Sequence, residues 1–125
     1  MAPDGIVTWA EIDLDAIAHN VEAIKAFVGP DVHLIVSVKA NAYGHGLRPV
    51  SRIVLEAGAS QLAVHRIQAG IALREAGISA PILLMGHVPP SGIGLVLRNR
   101  ITPTLVNLDT AHALSCQAEE PIDVH

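Results

Sequence analysis

Strand-like and helix-like segments alternate along this chain at short, even intervals, and this alternation limits the folds that it can adopt. After the first pair, apolar runs typical of strands recur roughly twenty residues apart, at 33–40, 61–65, 80–86 and 102–107. Helical patterns occupy the intervals at 48–58, 66–77 and 92–99, and another follows at 108–120. Units this short are typical of strand–turn–helix–turn repeats, so we expect parallel strands joined by right-handed crossovers and covered by helices.

Two architectures share this alternation. A doubly wound sheet normally opens with a strand and a glycine-rich turn that leads directly into a helix, whereas a regular succession of very short units is typical of a (β/α)8 barrel. We therefore predict an α/β fold, a partial (β/α)8 TIM-type barrel with an N-terminal strand segment at 8–13. A closed barrel typically takes about 250 residues, so residues 1–125 would form roughly its first half.

The last five residues, "PIDVH" at 121–125, have the pattern of an opening fifth strand. From this ending we expect the chain to be a truncated piece of a longer protein, without the C-terminal half of the barrel and a C-terminal β domain.

Composition excludes several classes of function. With 125 residues, half of them hydrophobic, the chain can bury one modest core. Its net charge of −4 and scattered basic residues argue against a nucleic-acid partner. The N-terminus lacks a signal-peptide pattern and no apolar run approaches the roughly 20 residues that span a bilayer, so we expect a cytoplasmic protein without a membrane partner. The single cysteine, Cys116, excludes an internal disulfide and makes a cysteine metal site improbable.

The first helix is predicted from its apolar periodicity. Asp13 or Asp15 is placed to cap its start, and Gly29 is placed to end it. Its apolar residues recur at steps of three and four: Leu14, Ile17, Val21, Ile24 and Phe27.

Lys39 stands at the end of the first apolar strand, in "HLIVSVKA". Side chains alternate between the two faces of a strand, so the even positions 34–40 form an apolar face suited to the helices. The odd positions Ile35, Ser37 and Lys39 then face the barrel interior. In this fold the active site is assembled at the carboxyl ends of the strands, which is where Lys39 is expected.

The residues after Lys39 suggest a chemistry. Burial disfavours the charged form of an amine, and the neutral amine is the form that attacks a carbonyl to make a Schiff base. Tyr43 adds a phenol, while Gly44 and Gly46 permit backbone angles and close approaches that suit a bound phosphate. A carbonyl cofactor carrying a phosphate is pyridoxal 5'-phosphate, but a barrel lysine also serves aldolases that use no cofactor, so both remain open from the residues alone.

Several segments, in their order, resemble the N-terminal half of alanine racemase: "TWAEIDLDAIAHNV", "VKANAYGHG", "LEAGA", "ALREAGISAPILLMG" and "TPTLVN". "VKANAYGHG" is the most specific of them. The resemblance implies that Lys39 carries pyridoxal phosphate as a Schiff base and then moves the α-proton on the D-alanine face. It also implies that Tyr43 binds the cofactor phosphate and that Met85 lies against the cofactor ring.

The same resemblance implies a homodimer for the full-length protein, interconverting L- and D-alanine for peptidoglycan. In the family, the proton on the opposite face is moved by a tyrosine of the partner subunit's C-terminal domain. The arginines for the pyridine nitrogen and the substrate carboxylate would also lie beyond His125. We therefore expect the 125-residue chain to be inactive by itself.

Some residues depart from the family pattern. Arg66 and Gln68 replace a more acidic helix start, which leaves a racemase of serine or of a basic amino acid as an alternative. His65 and His87 both fall at strand ends, yet no acidic or cysteine ligand has matching spacing, so we predict no metal site. Asn41 is expected to shape its loop by hydrogen bonds from its side chain to the backbone.

Two further hypotheses belong to other classes. One is a non-enzymatic pyridoxal-phosphate-binding barrel protein, whose lysine context differs from "KANAYGHG". The other is an inert or regulatory half-barrel whose unpaired strand edges bind another chain.

Overall fold

The computed structural model describes residues 8–125, and its elements follow the predicted alternation. A first helix leads into four short strands, each followed by one or more helical segments. The elements are α1 (Leu14–Val28), β1 (Ile35–Ser37), α2 (Lys39–Tyr43), α3 (Leu47–Glu56), β2 (Gln61–Val64), α4 (Ile67–Glu75), β3 (Ile82–Leu84), a 3-10 turn (Pro90–Gly92), α5 (Ile93–Arg98), β4 (Thr102–Pro103) and α6 (Leu108–Gln117).

The four strands form one parallel sheet in the order β1-β2-β3-β4. Val36 pairs with Leu62, and Leu62 pairs in turn with Ile82. Sequential parallel strands lying side by side, with helices in each connection, are the arrangement of a (β/α) barrel segment rather than of a sheet whose order reverses. The predicted partial barrel is therefore confirmed.

One face of the sheet carries the core. Leu62, Val64, Ile82 and Leu84 are fully buried and belong to a single apolar cluster with side chains of α3, α4 and α5. The opposite face of β1 is open, since Ile35 remains 44% exposed. The predicted alternation of β1 is therefore correct, with even positions against the helices and odd positions on the other face.

The prediction of an N-terminal strand at 8–13 is wrong, because these residues form no strand. Within residues 8–125 they pair with none of the four strands of the sheet, and Trp9 is 55% exposed. The strand predicted at 102–107 is shorter than expected, because regular pairing stops at Pro103. The helix predicted at 108–120 ends at Gln117, and the Asn107 side chain caps its start.

Residues 121–125, predicted as the start of a fifth strand, form no strand, but two backbone hydrogen bonds link His125 to Pro103 and Leu105. The His125 amide donates to the Pro103 carbonyl (2.9 Å), and the Leu105 amide donates to the His125 carbonyl (2.7 Å). This exchange on either side of Thr104 is the pattern of a parallel ladder. Residues 121–125 thus approach the free edge of β4.

The first helix begins and ends as its sequence predicts. The Asp13 carboxylate accepts a hydrogen bond from the Ala16 amide (2.9 Å), and Gly29 follows the last turn with φ +88°. Phe27 differs from the expected pattern, since it is 92% exposed instead of facing the core.

No helix within 8–125 combines the length and apolar character needed to cross a membrane.

Candidate active site

β1 delivers Lys39 to the carboxyl edge of the sheet. The Val38 amide donates to the Ala63 carbonyl on β2 (2.9 Å), which extends the pairing of β1 by one residue, and the Val38 side chain is fully buried. The chain leaves the sheet at Lys39, whose side chain is exposed. The position predicted from strand parity is the one observed, at the end of β1 where this fold assembles its sites.

The segment after Lys39 is an ordered left-handed turn. Ala40, Asn41, Ala42 and Tyr43 all have φ between 51° and 57°. Each non-glycine residue in this region costs about 1–2 kcal/mol, so four in succession require compensation from surrounding structure. The sequence pattern predicted a loop made adaptable by glycine, and this turn built from alanine, asparagine and tyrosine was missed.

Hydrogen bonds from Asn41 and His45 hold this turn. The Asn41 side-chain oxygen accepts from the Leu47 amide at the start of α3 (2.8 Å), and the Asn41 carbonyl accepts from the Gly46 amide (3.0 Å). The His45 ring nitrogen Nδ1 lies 2.9 Å from the Ala42 carbonyl oxygen. The predicted role of Asn41 is confirmed: it joins the left-handed turn to α3.

The backbone amides of residues 44–47 all donate hydrogen bonds to acceptors within the same loop. Gly44 donates to the Ala40 and Asn41 carbonyls, and His45 donates to the Ala42 carbonyl. With Gly46 and Leu47 also bonded inside the loop, these four amides do not form an open phosphate cradle. Gly44 and Gly46 serve the backbone geometry instead, with φ +89° and +101°.

Tyr43 lies beside Lys39. The Lys39 Nζ atom is 5.8 Å from the centroid of the Tyr43 ring. The Tyr43 hydroxyl lies 3.4 Å from the Ser37 Oγ atom and the ring is 59% exposed, so the phenol group is accessible to a ligand. Two of the predicted site residues are thus brought together, with Ser37 as a neighbour that was not assigned a role.

A cleft of about 590 Å³ opens next to the Lys39 side chain. Its walls come from the left-handed turn on one side and from the start of α4 on the other: Lys39, Ala40, Asn41, His65, Arg66, Gln68 and Ala69. In the sequence, His65, Arg66 and Gln68 stood out only as departures from the family pattern. Their place in the cleft follows from the parallel pairing of β1 with β2, which sets the carboxyl ends of the two strands side by side.

Met85 lies at the same edge of the sheet, directly after β3, and is 37% exposed. Its amide donates to the Val64 carbonyl (2.8 Å), but its side chain does not line the cleft beside Lys39. At the next residue, Gly86, a Cβ would overlap the His65 carbonyl oxygen, so only glycine permits this approach of the two strand ends.

Within 8–125, no group of three or more His, Cys, Asp or Glu side chains could hold a metal ion.

Comparison with known proteins identifies the family. The sequence model described as "Alanine racemase, N-terminal domain" matches residues 12–125. The chain belongs to this family. It is 46% identical over 118 residues to the alanine racemase of Geobacillus stearothermophilus, and 46% identical over 111 residues to that of Desulforamulus reducens. These alignments cover 94% and 89% of the chain, respectively.

Solved structures of the family agree with the fold. The crystal structure of alanine racemase from Bacillus anthracis with bound L-Ala-P is 46% identical, with a TM-score of 0.82 over 90% of this chain. Alanine racemase from Clostridium difficile 630 has a TM-score of 0.90 over 98% of the chain, at 35% identity. The chain spans about 30% of the length of the first of these structures and of both sequence relatives.

Proposed function

We propose that this chain is the N-terminal part of the barrel domain of a pyridoxal-phosphate-dependent alanine racemase. The observation that carries the proposal is the Lys39 amine, exposed at the carboxyl end of β1 and bordered by the Tyr43 phenol and the cleft of about 590 Å³. Membership of the alanine racemase family supports the reaction and the substrate.

The residues present suit the cofactor. An amine reacts with an aldehyde, and the Lys39 side chain is open to an incoming ring. The hydroxyl of Tyr43 supplies a donor for a phosphate oxygen, and the committed loop amides make it the principal phosphate contact from this loop. Met85, which follows β3 two strands away from β1, would offer an apolar contact to the ring. When bound, pyridoxal phosphate supplies an electron sink that acidifies the α-proton of an amino acid.

Lys39 would perform two functions in the reaction. Its amine would hold the cofactor through the aldehyde carbon and, when free, would remove or return the α-proton on one face of the α-carbon. Racemisation also needs a proton at the opposite face, so a second acid–base group has to approach from the other side. We propose that the remainder of a full-length racemase supplies this group.

Other parts of the proposal rest on the family alone. We propose that the full-length racemase is a cytoplasmic homodimer that provides D-alanine for peptidoglycan. A racemase of another amino acid is the alternative, and a histidine racemase from Leuconostoc mesenteroides does share this fold, with a TM-score of 0.74 and 27% identity. The higher identity to alanine racemases, 46% in both sequence relatives, favours alanine.

Borohydride trapping tests the cofactor site. The chain contains two lysines, Lys25 and Lys39, so the modified residue can be assigned by peptide mass spectrometry. We expect one reduced pyridoxyl group on Lys39 after incubation with pyridoxal phosphate, and none there in Lys39→Ala. Lys25→Arg is the matched control, because the Lys25 amine is engaged by the carbonyls of Pro30 and Val32. Equal labelling of both lysines in the unmodified chain would refute a specific site.

A chimera tests the reaction separately. The first third of the Geobacillus stearothermophilus alanine racemase would be replaced by this chain, and alanine racemisation followed by chiral chromatography. We expect turnover that Lys39→Ala abolishes, while the 125-residue chain by itself shows none. The visible absorbance of the chimera reports whether pyridoxal phosphate is bound. A chimera that binds the cofactor but racemises serine faster than alanine would contradict the assignment of alanine as the substrate.

A further inference from the structure

A second cleft, of about 410 Å³, lies at the amino ends of β3 and β4, the opposite end of the sheet from Lys39. Residues before β3, such as Ser79, line one side, and the turn between α5 and β4 lines the other. Three of its lining residues are arginines, Arg74, Arg98 and Arg100. Half of the six arginines of a chain with net charge −4 therefore converge on one small region.

Arg74 forms the inner wall of this cleft. Its Nε atom donates to the Asn99 carbonyl (2.9 Å) and its Nη2 atom donates to the Arg100 carbonyl (2.8 Å), so the guanidinium lies flat against this turn. Burial, and then the positive charge of Arg100, lower the pKa of Arg74. Its donors are satisfied by carbonyl groups, and within residues 8–125 it donates to no carboxylate.

Arg98 and Arg100 have exposed guanidinium groups. Neither donates a side-chain hydrogen bond to any residue of the described range 8–125. Arg100 has φ +48°, the left-handed conformation that ends α5: its amide donates to the Leu97 carbonyl, and the Ile101 amide donates to the Val96 carbonyl. Two arginines whose side chains donate to no residue of 8–125 thus stand beside a third that donates only to backbone carbonyls.

We propose that this cleft binds a small dianionic oxyanion of the phosphate class. The planar guanidinium presents paired N–H groups that match two oxygens of a phosphate, so Arg98 and Arg100 are the binding groups. Arg74 adds positive potential while it fixes the turn that carries Arg100. The Ser79 hydroxyl offers a further donor, and Asp123 at the rim is a carboxylate that opposes the ligand. This site is separate from Lys39 and independent of the proposed racemase activity.

Titration with inorganic phosphate at constant ionic strength, by calorimetry and by amide chemical shifts, tests the proposal. We expect saturable binding that Arg100→Gln weakens roughly tenfold, the factor that corresponds to about 1.4 kcal/mol. Arg48→Gln is the matched control, because Arg48 is an exposed arginine of α3 that lines neither cleft. Asp123→Asn should tighten binding severalfold by removing the opposing carboxylate.

Three results would overturn the site. These are no saturation at millimolar phosphate, equal weakening by Arg48→Gln and Arg100→Gln, and binding that Lys39→Ala abolishes but Arg100→Gln leaves intact. The last result would place the phosphate at the carboxyl ends of the strands. If Arg100→Gln does not fold, Asp123→Asn decides the question, since an unchanged affinity in that variant also contradicts the proposal.

Discussion

Replacement of Arg74 by methionine should destabilise the fold more than any other exchange of a single arginine in this chain. The guanidinium of Arg74 ties the end of α4 to the segments that enter β3 and β4. It donates four hydrogen bonds, all to backbone carbonyl oxygens and at 2.7–2.9 Å: to Ile78, Ala80, Asn99 and Arg100. Methionine keeps much of the apolar stem of the side chain, so the substitution removes mainly these bonds.

The magnitude follows from the number and the burial of the bonds. A hydrogen bond from a charged donor contributes about 1.5–3 kcal/mol, so four fully buried bonds would give an upper limit of about 6–12 kcal/mol. Three of the four are only partly buried and the fourth is exposed, so water replaces much of what is lost. We therefore expect the free energy of unfolding to fall by about 2–4 kcal/mol.

Urea unfolding followed by circular dichroism measures this change. A loss of that size lowers the midpoint by roughly 0.7–4 M at the slopes typical of small proteins. Arg52→Met is the matched control: the exposed Arg52 guanidinium donates one hydrogen bond, to the Ala76 carbonyl (3.1 Å), and its loss should cost about 0.5 kcal/mol or less. Equal midpoints for the two variants would refute the view that Arg74 fastens these segments together.

Two further predictions concern Ser51 of α3 and Asn41 of the left-handed turn, the latter compared with Asn107, the cap of α6. Ser51 is fully buried and its hydroxyl has no partner within 8–125, so Ser51→Ala should raise the free energy of unfolding by about 1 kcal/mol; a lower melting temperature would show that the hydroxyl is satisfied. Asn41→Ala should cost about 2 kcal/mol, since it removes the bond to Leu47 and places alanine in a left-handed conformation. Asn107→Ala, which removes only the cap to Thr110, should cost about half as much in chemical denaturation; a larger loss than for Asn41→Ala would contradict the contribution of the turn.

The sequence predicted the framework of this protein because that framework depends on local periodicity. Successive side chains of β1 point to opposite faces of the sheet, and this period of two alone predicted Val36 on the helix side and Lys39 on the open side. The caps of α1 were also predictable, since Asp13 and Gly29 act within a few residues of their own position. Periodicity was insufficient for Phe27, because an apolar residue at helical spacing faces the core only if a neighbouring element reaches it.

The resemblance of "VKANAYGHG" to alanine racemase predicted the family, which the comparisons confirm. It did not predict the geometry of that motif. Whether Asn41 and Tyr43 adopt a left-handed turn depends on contacts such as the bond from Asn41 to Leu47, and the energetic cost of the turn gives no periodic signal.

By itself, then, the sequence determined the alternation of strands and helices, the place of Lys39 and the family. Only the tertiary structure decided which side chains surround Lys39, how the following turn is held, and that Arg74 and Arg100 meet at the amino ends of the strands. The bonds from Arg74 to Asn99 and Arg100 join residues 25 and 26 positions apart. Local patterns carry no information on such pairs, since the distance between the two residues is set by how α4, β3 and α5 pack together.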